Sequence, residues 1–161
     1  SLHAKIIVWL DYGRLIGDDT DGHIDTIVRL APNDTIIYNG CDDESDEQYN
    51  DFKSLEEQLH QIKTIDGQSY NLLRLPMPDA MYDDGERLPA TYANFVITNK
   101  SVICPTYSQP TKDNIAMEVL QRAFPNHNIV GIDASTVVRQ HGSLHCLTMQ
   151  YPEGTLKTTR L

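Results

Sequence analysis

The chain has 161 residues, 40% of them hydrophobic, enough to bury one ordinary core, and nothing in it marks a second, unrelated domain. A formal charge of −10 disfavours nucleic acid and anionic membrane as partners and suits cationic ligands. Three widely spaced cysteines make neither a disulfide framework nor a zinc pattern, no apolar run is long enough to span a bilayer, and Ile6 to Leu10 lacks the flank and cleavage site of a secretory signal, so a cytoplasmic location is expected.

Taken in chain order, Ile6-Ile7-Val8-Trp9-Leu10 reads as a strand that leads into a polar loop. A hairpin follows, Asp25 to Leu30 and Asp34 to Tyr38 around the turn formers Pro32-Asn33. The acidic run Asp42 to Glu47 reads as a solvated loop and helix start, its negative charge complementing the helix dipole. The helix itself is expected from about Asp46 to Ile62, with Phe52, Leu55, Leu59 and Ile62 apolar, and a strand from Tyr70 to Leu75 closes the unit. The same order returns as Ala93 to Thr98, the turn Asn99-Lys100, Val102 to Cys104, a helix from about Lys112 to Phe124 and a strand Asn128 to Ile132. Ile115, Val119, Leu120 and Phe124 share one stripe of that second helix, between Pro110 and Pro125. The chain is therefore α+β and holds two β-β-α-β modules, at about residues 24–76 and 92–133, with a final strand at about 143–150. Such units bury their faces only against neighbours, so a larger ring is implied.

Two reactive clusters occupy equivalent places in this repeat. Leu10 to His23 and Ile132 to His145 span the same sequence distance. In the first cluster, Gly17-Asp18-Asp19-Thr20-Asp21-Gly22-His23-Ile24-Asp25, the alternating carboxylates resemble the start of a calcium loop, but Gly22 follows too soon and no glutamate closes the ligand set. On a strand, His23 and Asp25 face the same way, as suits a histidine and a carboxylate acting on one ligand, and Ile24 enters the opposite layer. The second cluster is His141-Gly142-Ser143-Leu144-His145-Cys146-Leu147-Thr148. Cys41 and Cys104 have the apolar neighbours of small buried hydrophobes. Cys146 differs, because glycine, serine and two histidines precede it and favour a thiolate; on these residues alone a catalytic and a merely structural role stand even. Tyr92 and Asn94 read either as lining a pocket or as capping a hairpin. The acids Asp79, Asp83, Asp84 and Glu86 read as surface residues rather than as binders of a substrate tail.

Gly17 to Asp25 before a hairpin, Leu88-Pro89-Ala90-Thr91-Tyr92-Ala93-Asn94-Phe95, Val130-Gly131-Ile132-Asp133 and Gly142 to Thr148 together resemble, in order and across nearly the whole chain, the agmatine deiminases and the related bacterial-type peptidylarginine deiminases. The resemblance implies a pentein fold, a five-bladed β/α-propeller of which this chain forms the C-terminal modules. It implies Cys146 as nucleophile, His23 as the catalytic histidine, and Asp25 as the carboxylate that holds the guanidinium; Asp19 and Asn94 are further candidate substrate-binding residues. It also implies a small cationic guanidine substrate, no metal and no other cofactor, and a role in putrescine and polyamine biosynthesis. Assembly as a homo-oligomer, or pairing with an N-terminal part, is expected. Two further family acids have no match here, and Arg139-Gln140-His141-Gly142 departs from the glycine-rich form common in agmatine deiminases.

The leading expectation is thus a hydrolase converting agmatine to N-carbamoylputrescine and ammonia through a cysteine thiouronium intermediate. The alternatives are a peptidylarginine deiminase that yields citrulline, an amidino transferase in which an amine replaces water, and a truncated fragment inactive by itself.

Overall fold

The computed structural model describes residues 5–19, 22–151 and 155. Apolar residues on either side of Pro32-Asn33-Asp34 form β1 (Val28–Ala31) and β2 (Thr35–Gly40), antiparallel, with Ala31 opposite Thr35. Asn33 and Asp34 take φ of 59° and 49°, a left-handed bend that short polar side chains tolerate. The chain then crosses through α1 (Tyr49–Gln61) to β3 (Asn71–Pro76), which pairs parallel with β2, an arrangement that requires such a crossover.

After a small hairpin, β4 (Tyr82–Asp83) with β5 (Glu86–Arg87), the pattern recurs. An antiparallel pair, β6 (Val96–Ile97) and β7 (Ser101–Thr106), is followed by α2 (Pro110–Ala123) and by β8 (Asn128–Asp133), parallel to β7. The two three-stranded sheets have the orders β1-β2-β3 and β6-β7-β8.

Several elements differ from the sequence expectation. The first helix starts at Tyr49, because Asp46 is spent before it: Oδ1 accepts from the Gln48 amide at 2.9 Å, and both oxygens pair with Arg87 at 2.9 and 2.6 Å. The expected strand from Ala93 shrinks to Val96–Ile97, since the Ala93 and Phe95 carbonyls accept from the Arg29 guanidinium instead of a neighbouring strand. In α2 the proline is the first helical residue, where its missing N–H costs nothing. Its buried stripe is Asp113, Ala116, Val119, Leu120 and Ala123, with Phe124 buried just beyond, whereas Ile115 is 43% exposed. Ile6 to Leu10 form no regular strand, and Trp9 is 81% exposed. Residues 143–150 hold a tight 3-10 turn rather than a strand.

Strand β2 is buried along its whole length because both its faces are covered. Ile36 and Tyr38 pack with Phe52, Leu55 and Leu59 of α1, while Ile37 points the other way and joins Leu73 and Leu75 to Val102, Val119 and Leu120 of the second unit. Each fully buried leucine here contributes about 2 kcal/mol. The N-terminal end of α2 is tied down by Asp113, whose carboxylate accepts from Tyr92 Oη at 2.7 Å and from the amides of Tyr107 at 3.0 Å and Gln109 at 2.9 Å. Among the described residues no helix is long and apolar enough to cross a membrane.

Candidate active site

Both reactive clusters fold as the same small device. Ile24–Thr26 is a 3-10 turn in which the Thr26 amide and hydroxyl both donate to the His23 carbonyl, at 3.2 and 2.8 Å. His145–Leu147 is another, in which the Thr148 amide and hydroxyl donate to the His145 carbonyl at 2.9 and 2.8 Å. His-Ile-Asp-Thr and His-Cys-Leu-Thr thus share a histidine followed three residues later by a threonine that closes the turn. This corrects the expectation that His23 and Asp25 share one face of a strand: the segment is a turn, and Ile24, expected in the opposite layer, is half-exposed.

The two turns meet. His145 Nδ1 lies 2.6 Å from Asp25 Oδ2, and Asn94 Nδ2 donates to the same oxygen at 2.9 Å. Asn94 Oδ1 accepts from the amides of His145 at 2.9 Å and Cys146 at 3.3 Å. The Asn94 main-chain carbonyl takes a further bond from the His145 amide at 3.1 Å. The structure therefore brings Asp25, Asn94 and Cys146 together and adds His145, which the sequence offered only as one of two histidines favouring the thiolate and not as a partner of Asp25. Asn94 is fully buried and all its polar atoms face the protein, so in this structure it is a strut rather than a ligand-facing group. Tyr92 is likewise fully buried.

Arg29, also unnoticed in the sequence, lies under the site. Its Nη1 donates to the carbonyls on either side of Asn94, Phe95 at 2.7 Å and Ala93 at 3.2 Å, and its guanidinium stacks over the Phe95 ring at 4.6 Å. Burial lowers the Arg29 pKa, while the charges of Asp25 and Cys146 oppose that shift by stabilising the cation. An Arg on β1, one residue off a buried valine, was the available signal.

The Cys146 segment is anchored at two more points. The Tyr107 and Ser143 hydroxyls are 3.0 Å apart in a buried pair, and Tyr107 Oη donates to the Thr91 carbonyl at 2.9 Å. His141 Nδ1 lies 2.9 Å from the Gly17 carbonyl, joining the loop before the first turn to the residues before the second. Gly17 has φ +86°, and a Cβ there would fall 2.2 Å from the Arg87 carbonyl, so no other residue fits.

His23 stands at the mouth of the first turn and lines, with Asp19, a cleft of about 450 Å³ walled by Leu10 to Leu15. Asp19 is exposed, and Thr20 and Asp21 of the acidic cluster lie outside the described residues. A larger, more apolar groove of about 630 Å³ opens on the other side of the Asp25 turn, where Asp25 and Arg29 meet Ile6, Val8, Leu30 and Ile65. Cys146 is exposed, whereas Cys41 and Cys104 are buried; burial pushes the Cys104 thiol up to about 12 and raises Cys41 as well. Asp79 and Asp83 pair with Lys112 at 2.7 Å and Arg139 at 2.6 Å on the surface. Among the described residues, His, Cys, Asp and Glu side chains do not gather in threes that could hold a metal ion.

An accessible thiol, an imidazole and a carboxylate on two linked turns define a site of the cysteine-centred kind, on an α+β frame. The model of the Porphyromonas-type peptidyl-arginine deiminases matches residues 1–152, and the chain belongs to that family. It is 36% identical over 169 aligned positions to a provisionally named agmatine deiminase of Marinomonas sp. (strain MWYL1), covering 94% of this chain and 45% of that protein. Among solved structures it is similar to a provisionally named arginine deiminase of Porphyromonas gingivalis, with TM-score 0.86 and 51% identity over 89% of this chain and 42% of that one. It is also similar to an agmatine deiminase of C. jejuni with substrate bound, at TM-score 0.80 and 43% identity, covering 88% of this chain and 40% of that one. The chain spans less than half the length of the curated relatives it matches.

Proposed function

We propose that this chain contributes the cysteine side of a guanidine deiminase that converts agmatine and water to N-carbamoylputrescine and ammonia, a step towards putrescine and the polyamines. The observation that carries the reading is the junction of an exposed Cys146 with a carboxylate, Asp25, held from one side so that its other oxygen remains to orient a cation. A guanidinium is planar and strongly stabilised, and needs paired hydrogen bonds from carboxylates before attack. In this reading Asp25 supplies one clamp. The Cys146 thiolate adds to the guanidinium carbon. His23 protonates the departing nitrogen as the C–N bond breaks and ammonia leaves, then takes a proton from the water that hydrolyses the thiouronium; the ureido product departs and the thiolate is restored. Asp19 lines the cleft beside His23 and is the second acid this chain offers a cation.

The two β-β-α-β units fit a reading as neighbouring blades of a pentein ring, at about residues 24–76 and 92–133, with Cys146 on the segment that follows. The exposed Ile7, Trp9, Leu30 and Met149 support it, since such surface is normally covered. In this reading the guanidinium clamp is completed by acids in the part of the fold that the relatives carry outside the matched region, and activity depends on that part. Purified protein with and without that part, assayed for ureido product from agmatine and from a blocked peptidyl arginine, tests this. Turnover of agmatine dependent on Cys146 supports the proposal; turnover of the peptide alone replaces agmatine by protein arginine as substrate.

A further inference from the structure

We infer that Asn94 is a positioning residue that fixes the carboxylate of one reactive turn against the thiol segment of the other. The inference rests on the deiminase reading above for its consequence in turnover, but not for its geometry. One carboxamide makes both connections: its nitrogen donates to Asp25 Oδ2, and its oxygen accepts from the His145 and Cys146 amides. The side chain is wholly buried, so these bonds are made within the protein interior. The residue itself is held from below, since Arg29 Nη1 binds the carbonyls immediately before and after it, and the Asn94 carbonyl binds His145.

The chemistry selects asparagine. The position must donate to a carboxylate and accept from two amides through atoms on opposite sides of one side chain: ionised aspartate lacks the donor, alanine lacks both, and serine offers donor and acceptor only on a single, shorter-reaching oxygen. With Asn94 and His145 both on Oδ2, the second Asp25 oxygen is aimed by their joint hold, and a guanidinium gripped there sits at a fixed place relative to Cys146. Loss of this strut releases the carboxylate and the thiol separately, and a displacement of about 1 Å at a reacting centre costs on the order of 100-fold in rate. Among the described residues, Arg29 and His145 act on Asp25, Lys5 lines the same groove and His23 stands two residues before it in the turn, and all four remain in every variant below.

The test uses the full-length deiminase that contains this sequence, with Asn94→Ala, Asn94→Asp, and Leu120→Val as a core variant outside the site that lowers stability. Two readouts are followed against pH: agmatine turnover, and the rate at which iodoacetamide alkylates Cys146. Asn94→Ala is expected to lower kcat/KM by about 100-fold. Asn94→Asp keeps the acceptor for both amides and the shape of the side chain, but sets a second carboxylate against Asp25 and close to Cys146. A negative charge added beside the thiol opposes thiolate formation, so the Cys146 alkylation limb of this variant is expected to move to higher pH than that of the wild type. Leu120→Val leaves both pH profiles unchanged. An Asn94→Asp protein whose alkylation profile matches the wild type, or an Asn94→Ala protein with kcat/KM within about threefold of it, overturns the inference. Where Asn94→Ala does not fold, the Asn94→Asp profile decides alone. Turnover surviving Cys146→Ser refutes the deiminase reading while the alkylation profiles still judge Asn94.

Discussion

The carboxylate of Asp25 and the imidazole of His145 meet at 2.6 Å although 120 residues separate them in the chain. The contact joins two turns of the same construction, one carrying its acid two residues after the histidine and the other its thiol one residue after. The first prediction concerns these roles. In the full-length protein, Cys146→Ser abolishes deimination, His23→Ala lowers kcat by about 1,000-fold or more, and Asp25→Asn acts mainly on kcat/KM, because each removes a different member of one cooperating unit. Steady-state assays of ureido product measure all three. The isolated chain, folded, has negligible activity on agmatine, and robust Cys146-dependent turnover by it would falsify that expectation.

Thiol reactivity follows burial. Cys146 is alkylated first by brief iodoacetamide treatment, Cys41 later and Cys104 last, since burial raises the last two thiols and puts Cys104 near 12. Peptide mapping by mass spectrometry reads the order directly, and early labelling of Cys104 contradicts it.

Much of the fold was legible in the sequence because strands and helices write their periodicity locally: Phe52, Leu55 and Leu59 mark α1, and Pro32-Asn33 marks the first hairpin turn. What could not be read there depends on partners distant in sequence. Asp46 leaves the helix for Arg87, and Ala93 and Phe95 leave the strand for Arg29. Ile115 falls off the buried stripe because the helix turns its Ala116 and Val119 face to the core. At the site, His23, Asp25 and Cys146 stood out as residue types, but the shared His-x-x-Thr closure of their two turns went unseen. Thr26 and Thr148 were the available signal, three residues after each histidine.

Glycine at position 142 protects the geometry of the thiol. A Cβ there would approach Cys146 Cβ at 3.1 Å and Sγ at 3.4 Å, so Gly142→Ala shifts the Cys146 Cβ, and the sulfur it carries, by a few tenths of an ångström. The expected outcome is a drop of about threefold to tenfold in kcat/KM with a melting temperature close to the wild type, scaled down from the cost of misplacing a reacting group by about 1 Å. Parallel kinetics and thermal melts separate the two effects.

Asp113 carries more of the stability than its single charge suggests. Asp113→Ala orphans the Tyr92 hydroxyl and two amides at the start of α2, and is expected to cost about 3 kcal/mol, against about 1 kcal/mol for Tyr92→Phe, which removes one donor only. Urea unfolding of the two variants checks the ratio.

The Arg87 side chain holds the Asp46 carboxyl below the usual carboxylate range, chiefly through their hydrogen bonds. A depressed folded value means that the stabilisation is present above the unfolded pKa, about 3.9, and is lost as pH falls from there through the folded value. Asp46→Asn therefore lowers stability at pH 7 but flattens its decline below about pH 4. Acid titration of the unfolding midpoint, followed by circular dichroism, shows the flattening if the pair acts as described.

The sharing of β2 between the two halves has a consequence for any attempt to divide the molecule. Ile37 belongs to the first sheet in sequence but to the second unit in packing, and Arg29 reaches from β1 to the backbone around Asn94. A protease that cuts the β4–β5 tip at Gly85 severs one covalent bond and none of these attachments. The two pieces stay together as a non-covalent pair, and a split version expressed as two polypeptides reassembles its thiol turn only when both are present. Neither half is a smaller protein in its own right; each is the other's missing wall.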